Sequence, residues 1–576
     1  MMSEKADETR ARMRARLEFI YGAGRAADVM RALEELLRRY EGRLPRGAAG
    51  WSERDALLIT YADTIREDGS PPLRALDRFL TERVGDRISF VHLLPFYPYS
   101  SDDGFAVQDF RQVRPELGSW DDVALLARHY RLAFDAVINH VSASGVYARG
   151  YCAGDPRFRD FFIALDPGTD TSSVLRTRNL PLLHDYDTSE GRKWLWTTFS
   201  RDQVDLNLAN PRVLLEVVDV LLFYVERGAS VLRLDAIPYL WKELGTSCAH
   251  LPRTHELIKL LRDVFNLAAP HVLLLAECNV PQRENLSYLG AGGDEAQVVY
   301  NFTMPPLVLF SIHKGDASRL TEWARTIRKV GGRATYLNVT ATHDGIGMRP
   351  TEGLLGEPER GELLDLARAH GGDVTGKRNP DGSISPYELN LNYFDAVNDP
   401  RAEEPLELQV RRFMLSQAIP LGFIGIPAVY VHSLLGSRND LEGVRRTGRA
   451  RSINRAVLRA DELCRELDDG LSLRGRVFRE YGRLLEVRRR ESAFHPDADQ
   501  EVPDLGPAVF AVLRRNEHTG ERILALHNVT GRALSLSGRG ALADAPSADL
   551  LTGEQFAAGA DVPLDSYQVR WLRGAD

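Results

Sequence analysis

The stretch VLRLDAIPYLWKE (231–243) begins like a buried strand but carries charge inside its apolar run. Arg233 and Asp235 are ionisable, whereas the residues before and between them are valine and leucine. A charged group that is removed from water destabilises a fold unless it is paired or used. The stretch therefore predicts either a structural ion pair or a functional site at the end of a strand.

Seven further apolar runs have the length of buried parallel strands. They are LLIT (57–60), ISFVHLLP (88–95), AFDAVINH (133–140), HVLLLAE (271–277), VVYNF (298–302), TYLNVTATHD (335–344) and IPAVYVH (426–432). With SVLRLD (230–235) they make eight strands that are separated by helical segments. This alternation predicts an α/β fold, a (β/α)8 TIM barrel, in preference to a doubly wound sheet.

Four segments do not follow the barrel pattern. Apolar positions at helical spacing in 1–52 predict an N-terminal helical extension. The gaps after strands three and seven are too long for turns, so we expect a small domain inserted at 141–210 and a second inserted loop domain at 345–400. Short alternating runs in 489–576 predict a C-terminal antiparallel β domain. The catalytic barrel would then comprise 53–140, 211–344 and 401–488.

The composition narrows the classes of partner. The chain has 576 residues and a formal net charge of −8, and nucleic-acid binding needs a concentrated basic face. The sequence has no run long and apolar enough to cross a membrane. Its four cysteines lack CxxC spacing, which favours reduced thiols in the cytoplasm and gives little support to a zinc site. We therefore predict a cytoplasmic protein with no nucleic-acid or membrane partner, and leave its oligomeric state open.

Acidic residues end three of the predicted strands, at the edge of a barrel where functional groups lie. They are Asp235 after strand four, Glu277 after strand five and Asp344 after strand seven. Two carboxylates about 5 Å apart can cleave a glycosidic bond with retention, one as the nucleophile and one as the acid. Arg233 would keep the short Asp235 ionised, and burial would raise the pKa of Glu277 as a general acid requires. A single strand-end acid is more often a helix cap or an ion-pair partner, but three on one edge favour a site.

Four short segments resemble the signature regions of glycoside hydrolase family 13, the α-amylase superfamily. They are DAVINH (135–140), LRLDAI (232–237), AECN (276–279) and THD (342–344). The resemblance implies that Asp235 is the nucleophile, Glu277 the acid/base and Asp344 the stabiliser of the transition state. It also implies a glucose-binding set that consists of Asp102, Phe105, His140, Arg233, His343 and Arg451.

Within that superfamily the sequence is most similar to the sucrose phosphorylase branch. The similar segments are LITYAD (58–63), HLLPFYPYSSDDGF (92–105), LGSWDD (117–122), WKELGTSC (241–248), YNFTMPPLVL (300–309), THDGIG (342–347) and GSRND (436–440). Together with the N-terminal extension and SPYELNLNYFDA (385–396), they look most like the glucosylglycerate phosphorylases of that branch.

This resemblance implies a hexosyltransferase that acts as a retaining α-glucosyl phosphorylase. It would reversibly convert 2-O-α-D-glucosylglycerate and phosphate into α-D-glucose 1-phosphate and D-glycerate through a β-glucosyl-enzyme. The alternatives are phosphorylases of sucrose, glucosylglycerol or sucrose 6′-phosphate, and an α-glucoside hydrolase or transglucosidase. A catalytically inactive binding protein is disfavoured because all three acids are present.

Phosphate and the acceptor require further groups. The resemblance implies Arg178 as a phosphate contact and Tyr387 as a loop tyrosine of the same site. Because Glu388 beside Tyr387 would repel phosphate, we expect loop movement to turn it in and out of the site. Tyr239 is expected on the acceptor side. The cationic candidates for the glycerate carboxylate are Arg178, Lys242, His250 and Arg438. Asn139 resembles a calcium-ligand position of amylases, but the branch works without that ion. The resemblance therefore implies small-molecule substrates, no metal and no cofactor.

Overall fold

Eight parallel strands form a closed barrel. The computed structural model describes residues 2–176, 178–379, 381–537 and 547–574. The barrel strands are β1 Leu57–Thr60, β2 Phe90–Leu93, β3 Arg131–Ala136, β4 Ala229–Leu234, β5 Leu273–Ala276, β6 Val298–Tyr300, β7 Thr335–Asn338 and β8 Ile426–Tyr430. Each strand pairs with its neighbours along the chain, and β8 closes onto β1. The predicted TIM barrel is confirmed.

Helices cover the outside of the barrel, which explains why its strands are near-continuous apolar runs rather than alternating ones. The longer covering helices are Pro72–Phe79, Pro211–Glu226, Pro252–Ala268, Met304–Lys314, Leu406–Gly422, Ala460–Asp468 and Leu473–Arg488. Shorter ones are Trp120–Leu126, Gln282–Ser287, Ser318–Ala324, Val431–Leu434 and Leu441–Thr447. Pro211–Glu226 shows how the sequence starts such a helix: Asn210 caps it by accepting a hydrogen bond from the Arg212 N–H, and Pro211 occupies the first turn.

Two helices, Met2–Tyr21 and Ala23–Tyr40, precede the barrel. The first packs along the barrel helix Pro252–Ala268. There Arg16 pairs with Glu256 at 2.7 Å and with Asp263 at 3.0 Å. The helical extension that the sequence predicts is therefore present, and it is attached to the barrel by ion pairs as well as by apolar packing.

Long excursions follow β3 and β7. After β3 come a helix, a three-stranded antiparallel sheet and a two-stranded pair: Val146–Cys152; Ala164–Leu165, Gly191–Trp196 and Leu183–Thr188; His140–Ser142 and Gln203–Asp205. After β7 come an antiparallel sheet and two helices: Ile346–Gly347, Ile384–Asn390 and Asp373–Arg378; Glu357–Ala369 and Tyr393–Val397. Both excursions start at the carboxyl ends of strands, so both lie over the edge where Asp235, Glu277 and Asp344 are found.

The C-terminal part is an antiparallel β structure. Its larger sheet has six strands, in the spatial order Asp499–Glu501, Val509–Arg515, Arg522–Asn528, Val569–Gly574, Ser547–Asp549 and Gln555–Phe556. Leu534–Leu536 and Val562–Leu564 form a second pair. The predicted β domain is therefore present, whereas the domain boundaries themselves stay predictions. In the described part of the chain, we find no helix with the length and apolarity needed to span a membrane.

Candidate active site

Arg233 lies at the centre of a buried chain of charged groups at the end of β4. Its Nη1 donates hydrogen bonds to Asp135 of β3 and, at 3.0 Å, to Oδ1 of Asp235. Asp135 is in turn hydrogen-bonded to Nε2 of His92 on β2, at 2.8 Å. The structural ion pair predicted for the opening stretch is confirmed, because Arg233 pairs with Asp135. Arg233 also contacts Asp235, and the functional site stays a prediction. Sequence reasoning missed Asp135 and His92, although each is a polar residue inside an apolar strand.

Glu277 is brought to Asp235 by a sharp turn. Ala236 adopts a left-handed conformation with φ of 51°. Its N–H donates to Glu277 Oε2 at 3.3 Å, and Nη2 of Arg233 is 3.9 Å from the same oxygen. Burial raises the pKa of Asp235 and of Glu277 to about 7. Because Arg233 bonds directly only to Asp235, the proton that the two acids share is favoured on Glu277.

Asp344 has a different electrostatic setting. Burial alone would raise its pKa, but Arg451, His343 and Arg455 together hold the pKa of Asp344 well below its usual range. Nη1 of Arg451 is 2.6 Å from Oδ1 of Asp344, and Nη2 of Arg455 is 3.2 Å from it. Arg455 also bonds Asp103 at 2.5 Å and thereby fixes the loop that contains Asp102. The site therefore holds one permanently ionised acid beside two that titrate together.

Two neutral histidines and an aromatic ring form one wall. Phe105 stacks on His343 with 5.2 Å between ring centroids and 8° between the ring planes. Burial lowers the pKa of His343 to about 3 and also lowers that of His140. Nε2 of His140 donates to the carbonyl oxygen of Phe105 at 3.1 Å. A neutral imidazole at His343 can donate a hydrogen bond to a sugar hydroxyl without adding positive charge. The single N–H of neutral His140 is already donated to Phe105.

The excursion after β3 continues this wall beyond His140. Gln203 donates a hydrogen bond to Asp102 at 3.0 Å. Burial would raise the pKa of Asp102, but the charges of Arg451 and Arg178 outweigh burial and lower this pKa. The Arg178 guanidinium carbon lies 5.7 Å from the ring centroid of Phe199 and 5.4 Å from that of Tyr387. These contacts bring Arg178 and Tyr387, which come from separate excursions, to one place.

Tyr239 also belongs to this wall, where its ring packs against Phe199. The two rings meet edge to face, with 5.8 Å between their centroids. Phe199 thus lies at the junction of Arg178, Tyr239 and His140, whose ring centroid is 5.0 Å away.

Lys242 is not available for an acceptor. Its ammonium is 2.8 Å from Oδ2 of Asp205 and donates to Oδ1 of Asn139, also at 2.8 Å. Its side chain is only 4% exposed. The group lies beneath the excursion after β3, where it compensates the buried Asp205 carboxylate. The Lys242 ammonium also bonds the side-chain oxygen of Asn139, the residue at the position that resembles a calcium ligand of amylases.

Arg438 and Glu388 also differ from expectation. Arg438 bonds Asp395 at 3.3 Å and Gln409 at 2.8 Å, so the structure does not bring it to the site. Glu388 is 1% exposed, and its two oxygens accept hydrogen bonds from Arg451 at 3.0 and 2.6 Å. In this conformation Arg451 compensates the Glu388 charge, and the predicted loop movement stays a prediction.

His250 lies at the edge of the site in a strained conformation, with φ of 55°. Its Nδ1 is hydrogen-bonded to the Tyr288 hydroxyl at 2.9 Å, and its Nε2 is 3.5 Å from Glu284. Burial, with help from the charge of Arg349, lowers the pKa of His250 to about 4. His250 is therefore neutral near pH 7 and does not supply the positive charge that the sequence suggested.

Comparison with known proteins identifies relatives of the chain. The family model for the catalytic domain of α-amylase matches residues 87–344. A glucosylglycerate phosphorylase of Spirochaeta thermophila is 47% identical over 526 residues, which cover 90% of this chain and 89% of that protein. One of Allomeiothermus silvanus is 45% identical over 572 residues, 99% of this chain and 100% of that protein.

A solved structure shows the shared fold. The crystal structure of sucrose 6F-phosphate phosphorylase from Thermoanaerobacter thermosaccharolyticum superposes with a TM-score of 0.72 at 22% identity, over 84% of this chain and 95% of that one. The chain therefore belongs to the α-amylase family, in the group of glucosyl phosphorylases that includes the glucosylglycerate phosphorylases.

Proposed function

We propose that the protein is a retaining α-glucosyl phosphorylase. It would convert 2-O-α-D-glucosylglycerate and phosphate reversibly into α-D-glucose 1-phosphate and D-glycerate. The observation that carries the proposal is the position of the Arg233 guanidinium between the two acids. It bonds Asp235 at 3.0 Å but lies 3.9 Å from Glu277. This arrangement gives one ionised and one protonated carboxyl at the same place. The relatives named glucosylglycerate phosphorylase support the choice of acceptor.

In the first half-reaction Asp235 attacks the anomeric carbon. The bond from that carbon to the glycerate oxygen breaks, Glu277 gives its proton to that oxygen, and a β-glucosyl ester forms on Asp235. In the second half-reaction Glu277 takes a proton from phosphate, whose oxygen attacks the same carbon and releases Asp235. Both steps use only side chains and substrates.

The remaining groups would bind glucose and stabilise the transition state. Asp344 stays ionised beside Arg451 and Arg455, so it can accept hydrogen bonds from sugar hydroxyls and counter the positive charge that develops on the ring. Asp102 would add an acceptor and His343 a neutral donor around the same space, and His140 would hold Phe105 beside them through its bond to the Phe105 carbonyl oxygen. Phe105 supplies an apolar face against the sugar.

Arg178 and Tyr387 would select phosphate over water in the second half-reaction. A guanidinium binds a phosphate through paired hydrogen bonds, which favours the anion near the anomeric carbon. The position of Arg178 between Phe199 and Tyr387 supports this role. A cytoplasmic location stays a prediction from the cysteine pattern.

One experiment tests the proposal. The protein is incubated with α-D-glucose 1-phosphate and, separately, D-glycerate, D-fructose, fructose 6-phosphate, glycerol or no acceptor, and phosphate release is measured. Release with glycerate above all others is expected. Release with fructose, fructose 6-phosphate or glycerol alone would move the protein to a phosphorylase of sucrose, sucrose 6′-phosphate or glucosylglycerol, and equal release without an acceptor would indicate a hydrolase.

A further inference from the structure

A buried arginine with incomplete pairing lies in the excursion after β7. Arg349 is 8% exposed, and its Nε has no hydrogen-bond partner within the described part of the chain. Its nearest carboxylate contacts are loose, at 3.9 Å to Glu284 and 4.0 Å to Glu352. A guanidinium that is taken out of water needs hydrogen-bonding partners, so this arrangement is costly unless a ligand completes it.

Backbone contacts fix Arg349 close to the catalytic groups. The N–H of Met348, the preceding residue, donates to the carbonyl oxygen of Tyr387 at 2.9 Å. Gly347 lies against Asn279, and a Cβ at that glycine would come within 2.3 Å of the Asn279 amide oxygen. Asn279 is two residues after Glu277. Arg349 is therefore held between the loop tyrosine and the segment that carries the general acid.

The two carboxylates near Arg349, Glu284 and Glu352, do not bond it directly. Burial and then the charge of Arg349 lower the pKa of Lys377, on the strand Asp373–Arg378. Burial raises the pKa of Tyr239, and the positive charge of Arg349 lowers it. The guanidinium is therefore within electrostatic range of Tyr239. Glu284, the carboxylate closest to Arg349, is 44% exposed and keeps much of its contact with water. Two cations near each other, of which Arg349 has no directly bonded carboxylate, are suited to a small anion.

We propose that Arg349 binds the carboxylate of the acceptor, with Lys377 as the second cation of the same subsite. The inference rests on the proposed function, because glycerate is the acceptor that carries this group. A planar guanidinium matches a carboxylate through two parallel hydrogen bonds, and Lys377 adds a charge that needs no fixed geometry. Neutral His250 can add a hydrogen bond but no charge.

This assignment separates the two anions of the reaction. Arg178 lies over Phe199 and Tyr387 in the wall formed by the excursion after β3. Arg349 belongs to the excursion after β7 and follows Met348, whose N–H donates to the carbonyl oxygen of Tyr387. The phosphate and the glycerate carboxylate would then be recognised by different arginines. An acceptor without a carboxylate, such as glycerol or fructose, would leave Arg349 and Lys377 without their partner.

The test compares Arg349→Gln with the unmodified protein on two reactions. One is phosphate release from glucose 1-phosphate with D-glycerate, and the other is decomposition of glucose 1-phosphate by arsenate, which requires no acceptor. In Arg349→Gln, the ratio of kcat/KM for glycerate to that for arsenolysis should fall about 10- to 100-fold, mainly through KM for glycerate. The preference for glycerate over glycerol should fall with it, and Lys377→Met should lose less than Arg349→Gln.

Two controls keep the outcomes distinct. Arg438→Gln removes an arginine that the structure pairs with Asp395 and Gln409 away from the site, and it should leave both ratios unchanged. If Arg349→Gln does not fold, Arg349→Lys keeps the charge but loses the paired geometry and should still raise KM for glycerate. An unmodified protein that does not use glycerate would overturn the proposed function. An unmodified protein that does use it, with both Arg349 variants keeping the same glycerate ratio, would overturn this inference alone.

Discussion

Arg233 bonds Asp235 at 3.0 Å and lies 3.9 Å from Glu277, although both acids are buried in the same place. The difference in distance is small, but inside a protein a charge stabilises the nearer carboxylate more strongly. We therefore expect the negative charge on Asp235, which accepts the direct hydrogen bond, and the proton on Glu277. Arg233 bonds Asp135, which in turn is hydrogen-bonded to His92. The position of Arg233 therefore depends on three neighbouring strands, β2, β3 and β4.

Asp235→Asn should abolish both half-reactions. The amide has the same shape but is not a nucleophile, so we expect a loss of activity on the order of 10⁴-fold or more in phosphorolysis and in arsenolysis. The measurement is phosphate release together with mass spectrometry of the trapped protein, which should show no glucosyl adduct. Asp187→Asn, on the exposed surface, is the matched control. Normal turnover in Asp235→Asn would contradict the double displacement.

Glu277→Gln should be more stable than the unmodified protein at high pH. Burial raises the pKa of Glu277 from 4.5 to about 7, so the folded state binds a proton more tightly than the unfolded state. The resulting stability is complete below about pH 4.5 and is lost as the pH rises through 7. Glutamine carries no titrating group, so its advantage should grow to on the order of 2–3 kcal/mol by pH 8 and vanish near pH 4.5.

Denaturant unfolding at several pH values measures this difference. Glu322→Gln, on an exposed helix surface, is the control and should show no such trend. A constant difference between Glu277→Gln and the unmodified protein from pH 4.5 to pH 8 would mean that Glu277 does not titrate in this range.

The barrel and the three acids could be predicted because each depends on local sequence. Apolar runs mark buried strands, and a charged residue that ends such a run is visible without knowing the fold. By contrast, the partners of Arg233 and Lys242 are distant in sequence: Asp135 is 98 residues before Arg233, and Asn139 is 103 residues before Lys242. Which cation meets which carboxylate depends on how the excursions pack, and no spacing rule contains that information.

Arg349 is a second example of a residue whose role the sequence alone does not indicate. It follows the THDGIG segment closely, but by sequence alone it is one arginine among many. Three properties of the folded chain distinguish it from the other arginines. They are its burial, the lack of a hydrogen-bond partner for its Nε in the described part of the chain, and the contact of Gly347 with Asn279. Arg438 is the opposite case, since it looked equally suitable in the sequence but is paired with Asp395 elsewhere.

Arg178→Gln should weaken the response to phosphate more than the formation of the glucosyl-enzyme. Loss of a charged donor should raise KM for phosphate about 10-fold and increase the fraction of glucosyl-enzyme that reacts with water. The measurement is the ratio of glucose to glucose 1-phosphate formed from glucosylglycerate at several phosphate concentrations. Arg192→Gln, an exposed arginine of the same excursion, is the control. An unchanged ratio in Arg178→Gln would exclude Arg178 from the phosphate site.

Lys242→Met should destabilise the protein without a selective effect on the acceptor. Asp205 is fully buried and would lose its cationic partner, although Asn139 and Thr198 still donate to it. Breaking a buried ion pair on one side costs about 3–5 kcal/mol, so Tm should fall clearly. The double variant Lys242→Met with Asp205→Asn should recover much of that loss, because the amide carries no charge. Lys193→Met, in an exposed pair, should change Tm little. If Lys242→Met instead kept its Tm and raised KM for glycerate as strongly as Arg349→Gln, the acceptor role first predicted for Lys242 would be correct and its structural role would not.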